Sequence, residues 1–267
     1  MSSSAKRGPV HDVDAVDLDA FAIAEELAPA GDGAWHKHAR HQLLYAASGV
    51  MHFEVKGRAA WSLPPQRASW IPHGVVHRVR VTAPVALRTV YFRRSLASPG
   101  EASVFAVTPL AREMILEACR WGPNGRTLPD VARKLFAALA ALTVEWRDAA
   151  RTPFSLPVAQ TEELARAMRF VLEREGPAPS IAEVARAAGL SERTLERRFR
   201  NEAHSSFRAF VSSARMMRAL ELLALPGRRV TDVAVALGFA SFGAFSTAFQ
   251  RFTGETPSAY QKRIRGA

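Results

Sequence analysis

The sequence predicts an α+β protein: an antiparallel β-barrel or sandwich first, then an all-α domain with two helix-turn-helix units. Three observations carry this. Between Phe21 and Phe92, short apolar runs rich in Val, Trp, Tyr and Phe alternate with turn signals. After Pro99 the spacing of apolar residues becomes helical. Within the helical half one pattern occurs twice, Val184-Ala185-x-x-x-Gly189 and Val233-Ala234-x-x-x-Gly238.

The elements follow in order. Residues 1–17 are polar and expected to form a flexible tail. Strands are expected over Gln42–Ala46, Val50–Val55, Ala59–Leu63, Ala68–Ile71, His77–Val81 and Ala86–Phe92, within a β domain spanning 18–97. Helices are expected over Pro109–Trp121 and Pro129–Ala150, in a connecting region of 98–154. The second has Val131, Leu135, Leu139, Leu142 and Trp146 at helical spacing, and Gly122-Pro123-Asn124-Gly125 separates the two. Arg151–Pro157, with two prolines, reads as a linker to the last domain, 155–267. From Val158 onward all is helical, in segments near 158–175, 181–188, 191–202, 205–224, 230–237, 241–252 and 256–264.

Composition bounds the class. With 48% hydrophobic and 23% charged residues, the 267-residue chain is an ordinary globular protein. A net charge of +11 suggests a polyanionic partner, nucleic acid before membrane. Charge does not locate the surface, however. From residue 155 onward there are 17 Lys/Arg against 11 Asp/Glu, and before it 19 against 14. Cys119 stands alone, which excludes an internal disulfide and a cysteine zinc site. The N-terminus has no apolar h-region, and no uncharged apolar run reaches membrane-spanning length, so the cytoplasm is the expected location.

The duplicated stretch has the physics of a helix-turn-helix. A small Ala lets the second helix cross closely, and Gly ends the first helix where a left-handed residue is cheapest. Leu190 and Phe239 are placed to plug the core beneath each turn, and Ser191 and Ser241 to cap the next helix. Leu195/Phe199 and Phe245/Phe249 form inward stripes at i, i+4, leaving the other face for a major groove. The second turn is one residue longer, since Gly189 precedes Phe199 by ten positions and Gly238 precedes Phe249 by eleven.

The stretch from Val230 to Tyr260 resembles the C-terminal signature of AraC/XylS-type transcription regulators, and the resemblance extends over about 158–264. It implies a sequence-specific DNA-binding domain of seven helices on double-stranded DNA, with two recognition helices in successive major grooves ~34 Å apart. By position, Arg193, Glu196 and Arg197 would read bases, with Arg forking onto guanine and Glu accepting from cytosine. Arg200 would meet phosphate. The corresponding face of the second unit holds Phe242, Gly243, Ser246 and Thr247, which offer few hydrogen bonds and a ring for thymine methyls. The first unit is therefore expected to supply most of the sequence discrimination. Homodimerisation through the middle helices and contact with RNA polymerase are further expectations from the resemblance.

Two more motifs lie in the β half: Trp35-His36-Lys-His38-Ala-Arg-His41-Gln42 and Pro72-His-Gly74-Val-Val-His77. They resemble the two motifs of the cupin superfamily, a double-stranded β-barrel, with Gln42 in place of the usual carboxylate. The resemblance implies a sensor domain. His36, His38 and His77, with Gln42 as an oxygen donor, could hold one divalent transition metal such as Zn²⁺, provided residues 39–41 turn. Alternatively the histidines line a pocket for an organic effector, with Trp35, Phe53, Trp61 and Trp70 as apolar lining. The missing carboxylate argues against the iron oxygenase triad. Two other readings stay open: a cupin enzyme with a helical extension, and an architectural DNA-binding protein with an inert β domain.

Overall fold

The computed structural model describes residues 12–57, 59–63, 65, 67–81, 84–149, 155–157, 159–225 and 227–265. Its contacts divide the chain into two units, Met1–Lys56 with Leu63–Thr152, and Gly57–Ser62 with Pro153–Ala267.

The first unit is antiparallel β. Its strands are β1 (Ala20–Leu27), β2 (Gly31–Asp32), β3 (His41–Ser48) and β4 (Met51–Val55). A short β5 (Ala59–Leu63) falls at the boundary, and β6 (Arg67–Ile71), β7 (His77–Val81), β8 (Val85–Phe92) and β9 (Ser103–Ala106) follow. One sheet runs β1-β8-β3-β6-β9. In the other, β7 pairs with both β4 and β2. The pairs β1–β8, β2–β7 and β3–β6 nest as in a long hairpin folded back on itself, the jelly-roll pattern of a double-stranded β-helix. The expected strands are present to within two residues. Strand β9 contradicts the expectation of helix after Pro99. Val104 and Phe105 are both buried where β9 pairs with β6, so four residues of pairing outweigh their helical setting.

Helices α1 (Pro109–Ala118) and α2 (Asp130–Ala149) cover one face of the first sheet. Thr108 caps α1, accepting a hydrogen bond from the Ala111 amide, with Pro109 at the first helical position where its missing N–H costs nothing. Ala111, Ile115 and Ala118 of α1 and Ala132, Phe136, Leu139 and Ala140 of α2 pack on Leu43, Tyr45, Ala68, Trp70 and Phe92. Of the expected tail, residues 1–11 lie outside the described residues. Residues 12–18 are tied down: the Arg40 guanidinium donates to the carbonyls of Val13, Val16 and Leu18, and the Ala39 amide donates to Asp14. Of the expected linker, residues 151–154 lie outside the described residues, and β10 (Ser155–Pro157) pairs with β5.

The helical unit holds α3 (Glu162–Glu173), α4 (Ile181–Ala188), α5 (Glu192–Ala203), α6 (Phe207–Ala224), α7 (Val230–Ala236), α8 (Phe242–Thr253) and α9 (Pro257–Arg265). Helix α3 starts four residues later than expected, after Thr161, whose hydroxyl donates to Glu202 rather than capping the helix. Both turns of the duplicated pattern close identically. Leu190 N–H returns to Ala185 O, Phe239 N–H to Ala234 O, and Gly189 and Gly238 adopt φ of 71° and 69°.

The two glycines are nonetheless unequal. A Cβ on Gly189 would meet only Arg166 Nη2, at 3.9 Å, whereas one on Gly238 would lie 2.8 Å from Pro177 Cβ and 2.9 Å from its Cα. Gly189→Ala should cost about 1 kcal/mol, the left-handed penalty alone. Gly238→Ala adds a backbone overlap and should cost about 3 kcal/mol. Urea denaturation of the two variants checks this, and equal losses would refute the packing argument.

Candidate functional site

In the first helix-turn-helix, α4 is fixed by a capping box in which Ser180 and Glu183 bond each other's backbone, and α5 by Ser191, whose hydroxyl accepts from the Thr194 amide. Leu195 and Phe199 are wholly buried. Arg193, Glu196, Arg197 and Arg200 all lie on the exposed face. None of the four makes a hydrogen bond or ion pair among the described residues, so their charges are not spent on one another. Arg198, one position on, is different: it bonds Thr161, Glu163 and Glu202 and ties α5 to the start of α3.

In the second unit Ser241 caps α8 by accepting from the Ala244 amide, and Phe245 and Phe249 are buried. The extra residue of the turn, Ala240, precedes the cap, so from Ser191/Ser241 onward the units align at an offset of fifty. On that alignment Arg193, Glu196, Arg197 and Arg200 correspond to Gly243, Ser246, Thr247 and Gln250. Phe242, 46% exposed, corresponds to Glu192. Gly243, Thr247 and Gln250 are exposed and Ser246 is half-buried. Gln250 was missed by the sequence reading; the Phe199/Phe249 offset was the signal for it. Leu190 and Phe239 are half-buried rather than central. Phe239 packs 5.3 Å from Phe245 and under the Arg215 guanidinium, 4.0 Å from its ring centre.

The β unit gathers the cupin-like residues. The segment 30–36 runs antiparallel to β7, with Gly33 N–H donating to Val79 O and His36 and His77 exchanging both backbone hydrogen bonds. This sets the His36 and His77 rings 4.2 Å apart, with His38 5.1 Å from His77 and 6.2 Å from His36. The chain bends at Ala39 and Arg40, so Gln42 does reach the group: its Oε1 is 3.1 Å from His38 Nε2. Gln42 Nε2 donates to Thr89 Oγ1 and Tyr91 Oη, at 2.9 and 3.0 Å, which fixes the carboxamide's orientation. Nδ1 of His36, His38 and His77 lies against the carbonyls of Ala34, Arg40 and Val75 respectively. For His77, an Nδ1–H donated to Val75 O leaves Nε2 as an acceptor. His77 Nε2 is buried with no partner. Among the described residues, no three His, Cys, Asp or Glu side chains stand arranged to hold a metal ion.

Of the residues expected to line an effector pocket, the three in the β unit, Trp35, Phe53 and Trp70, do not come together. Phe53 is buried 5.9 Å from His77. Trp35 is exposed, with Arg78 stacked on it. Trp61 is buried in β5, which groups with the other unit. Trp70 is one residue from Ile71, the partner of Gln42, and so points to the opposite face, where its Nε1 donates to Pro99 O. Thr89 and Tyr91 were missed, because only the register of β3 with β8 places them beside Gln42.

Burial pushes His77 down to about 3 and His41 down to about 4, and lowers His38. A histidine lowered in the folded state keeps its full contribution above the unfolded value near 6.5 and loses it as pH falls toward the folded value. At pH 5, His77 and His41 should each cost about 2 kcal/mol of stability relative to pH 7.5. Urea midpoints of chelator-treated wild type and His77→Gln at both pH values isolate the effect from the carboxylates. An equal pH response in both proteins would contradict it.

A family model described as an AraC-like ligand binding domain matches residues 29–155, and one described as a helix-turn-helix domain matches 184–263. The chain is 30% identical over 230 residues to the HTH-type transcriptional regulator NimR of Escherichia coli strain K12, covering 86% of this chain and 82% of NimR. It is 28% identical over 134 residues to GadX of the same strain, covering 50% of this chain and 48% of GadX. Among solved structures, fatty-acid-bound ToxT from Vibrio cholerae strain SCE256 aligns with a TM-score of 0.40 at 11% identity, covering 93% of this chain and 96% of that one. With an AraC-like ligand-binding domain followed by a helix-turn-helix domain, and a relative of this identity along most of its length, the chain belongs to the AraC family of DNA-binding transcriptional regulators.

Proposed function

We propose that this regulator discriminates its operator mainly with α5 and is set by a ligand held between His38, His77 and Gln42. The observation that carries the first part is the contrast between the two recognition faces. Four charged side chains without partners stand on α5, and the aligned positions of α8 hold Gly, Ser, Thr and Gln.

The chemistry of the histidine group supports a ligand that donates. His38 Nε2 and Gln42 Oε1 are joined by a hydrogen bond of 3.1 Å, while His77 Nε2 is buried beside them with no partner. A small organic cation or N–H donor would satisfy His77 Nε2. A divalent transition metal is the second reading; His36 at the exposed rim would complete three imidazoles with Gln42 as oxygen donor, but the rings must shift to share one ion. With glutamine where an oxidative site needs a carboxylate, the domain senses its ligand without turning it over. Ligand binding acts by population shift, which requires different affinities in the two DNA-binding states.

Two copies pair through α2, whose outer side carries Val131, Ala138 and Leu142 at 7-4 spacing, Val131 being 63% exposed, while the half-buried Leu135 packs against the core. Leu139, expected on that stripe, faces the core instead. The dimer works in the cytoplasm on double-stranded DNA and communicates with RNA polymerase. Among the described residues no helix is long and apolar enough to cross a membrane.

The test uses untagged full-length protein and DNA sites selected from a random pool. Melting temperature and operator affinity are measured with Zn²⁺, Ni²⁺, Cu²⁺ and a panel of organic amines. A ligand at a hundred times its dissociation constant should add about 2.7 kcal/mol of stability, lost in His77→Gln. No change in either readout with any ligand would refute the sensing role. A monomer in sedimentation at DNA-binding concentrations would refute the pairing.

A further inference from the structure

The helical unit contains a groove that shares Glu196 and Arg200 with the recognition face of α5 and extends beyond it to the start of α6. It lies between α4, α5 and α6, with a volume of about 540 Å³. Its charged lining is one-sided: Arg200 from α5 and Arg208 and Arg215 from α6, against the single carboxylate of Glu196. Arg200 and Arg208 are exposed and have no ion pair or hydrogen bond among the described residues. Arg215 is half-buried and anchored, donating from Nη2 to Leu237 O, while its Nε is buried with no partner. Two helices also begin here. Ser180 and Ser206 both line the groove and both are N-caps, of α4 and α6. The Ser206 hydroxyl is occupied by the Ala209 amide, so the amides of Phe207 and Arg208 remain in the first turn before any i−4 carbonyl exists. At α4 the Glu183 carboxylate stands in the capping box and is paired with Arg174. It subtracts from the positive field at that end, so α6 is the stronger of the two termini.

We propose that this groove grips a phosphate of the DNA backbone, with Arg208 as its principal contact and Arg200 as its second. The inference rests on the chain's binding DNA through the first helix-turn-helix, and it adds a residue outside the duplicated motif. The geometry supports it because a first helix of such a motif crosses the backbone while the second enters the groove. A phosphate beside the start of α4 and the exposed side of α5 then falls within reach of the α6 N-terminus. Two unspent guanidiniums match a phosphoryl group, and a positioning contact of this kind carries no sequence information.

The experiment measures binding of the full chain to its selected duplex and to a scrambled duplex of equal length, across a salt series. Arg208→Ala should weaken both duplexes by the same factor, about eightfold near 0.1 M salt, and reduce the slope of log K against log salt by about 0.9. Arg208→Lys should restore most of the slope. Arg197→Ala serves as the contrast, losing affinity for the selected duplex alone. A wild-type slope retained in Arg208→Ala, or a loss confined to the selected duplex, would overturn the proposal. So would stabilisation by inorganic phosphate that depends on Arg208 while the DNA slope stays unchanged, since the groove would then serve a free phosphoryl ligand. Wild-type protein with no preference for any duplex would instead defeat the reading of the chain as a sequence-specific regulator, which keeps the two failures apart.

Discussion

Arg197→Ala should weaken binding to the selected duplex by about ten- to a hundredfold, with no change in melting temperature. The guanidinium is exposed on α5 and bonds nothing among the described residues, so removing it frees no buried partner and opens no cavity. Its loss falls on the complex alone, where one bidentate contact to guanine is worth about 1–3 kcal/mol of discrimination. The neighbouring Arg198 provides the control. It is held by Thr161, Glu163 and Glu202, so Arg198→Ala should lower stability and leave the sequence preference of the folded protein intact. Phe242→Ala should relax specificity less than Arg197→Ala, because a ring at the start of α8 offers only van der Waals contact to a thymine methyl. Fluorescence anisotropy on the selected and single-mismatch duplexes ranks the three. A larger effect of Phe242→Ala would reverse the assignment of the dominant reading helix.

Those two arginines also show where the sequence stops speaking. Both sit in a charged run, Glu196-Arg197-Arg198, and helical spacing separates them only by face. That Arg198 is spent on Glu163 depends on how α3 packs, thirty-five residues earlier in the chain. The duplicated units were legible because their determinants are local: a left-handed glycine, a serine cap and an i, i+4 apolar pair. The offset of fifty was equally readable, and following it would have identified Gln250. The β unit was legible in strand content but not in pairing. Gln42 reaches His38 through a local bend, which spacing anticipated as a condition. Its partners Thr89 and Tyr91 come from a strand more than forty residues away. Trp70 illustrates the same limit, since composition groups it with Phe53 while the alternation of β6 sends it to the helix-covered face.

The largest stability effect should come from Phe199→Ala or Phe249→Ala, each costing about 3–5 kcal/mol. Both side chains are completely buried. Phe199 packs against Phe207 and Phe210 of α6, at ring-centre distances of 5.7 and 5.2 Å, and Phe249 against Phe245 and Tyr260, at 5.7 and 5.6 Å. Each loss is a large part of the roughly 5–15 kcal/mol that holds a domain together. The structural question is whether the damage stays within one unit. Helix α6 packs on α5 from the first unit and on α7, α8 and α9 from the second, and its buried side includes Phe210, Met217, Leu220 and Leu223. A single helix serving both cores should make them one cooperative body. Phe199→Ala should therefore speed hydrogen exchange in α8 as much as in α5, and lower the urea midpoint of both by the same amount. Exchange that accelerates in α5 alone would mean that the two reading heads are independently stable. In that case α6 would act as a spacer between them rather than as their shared core.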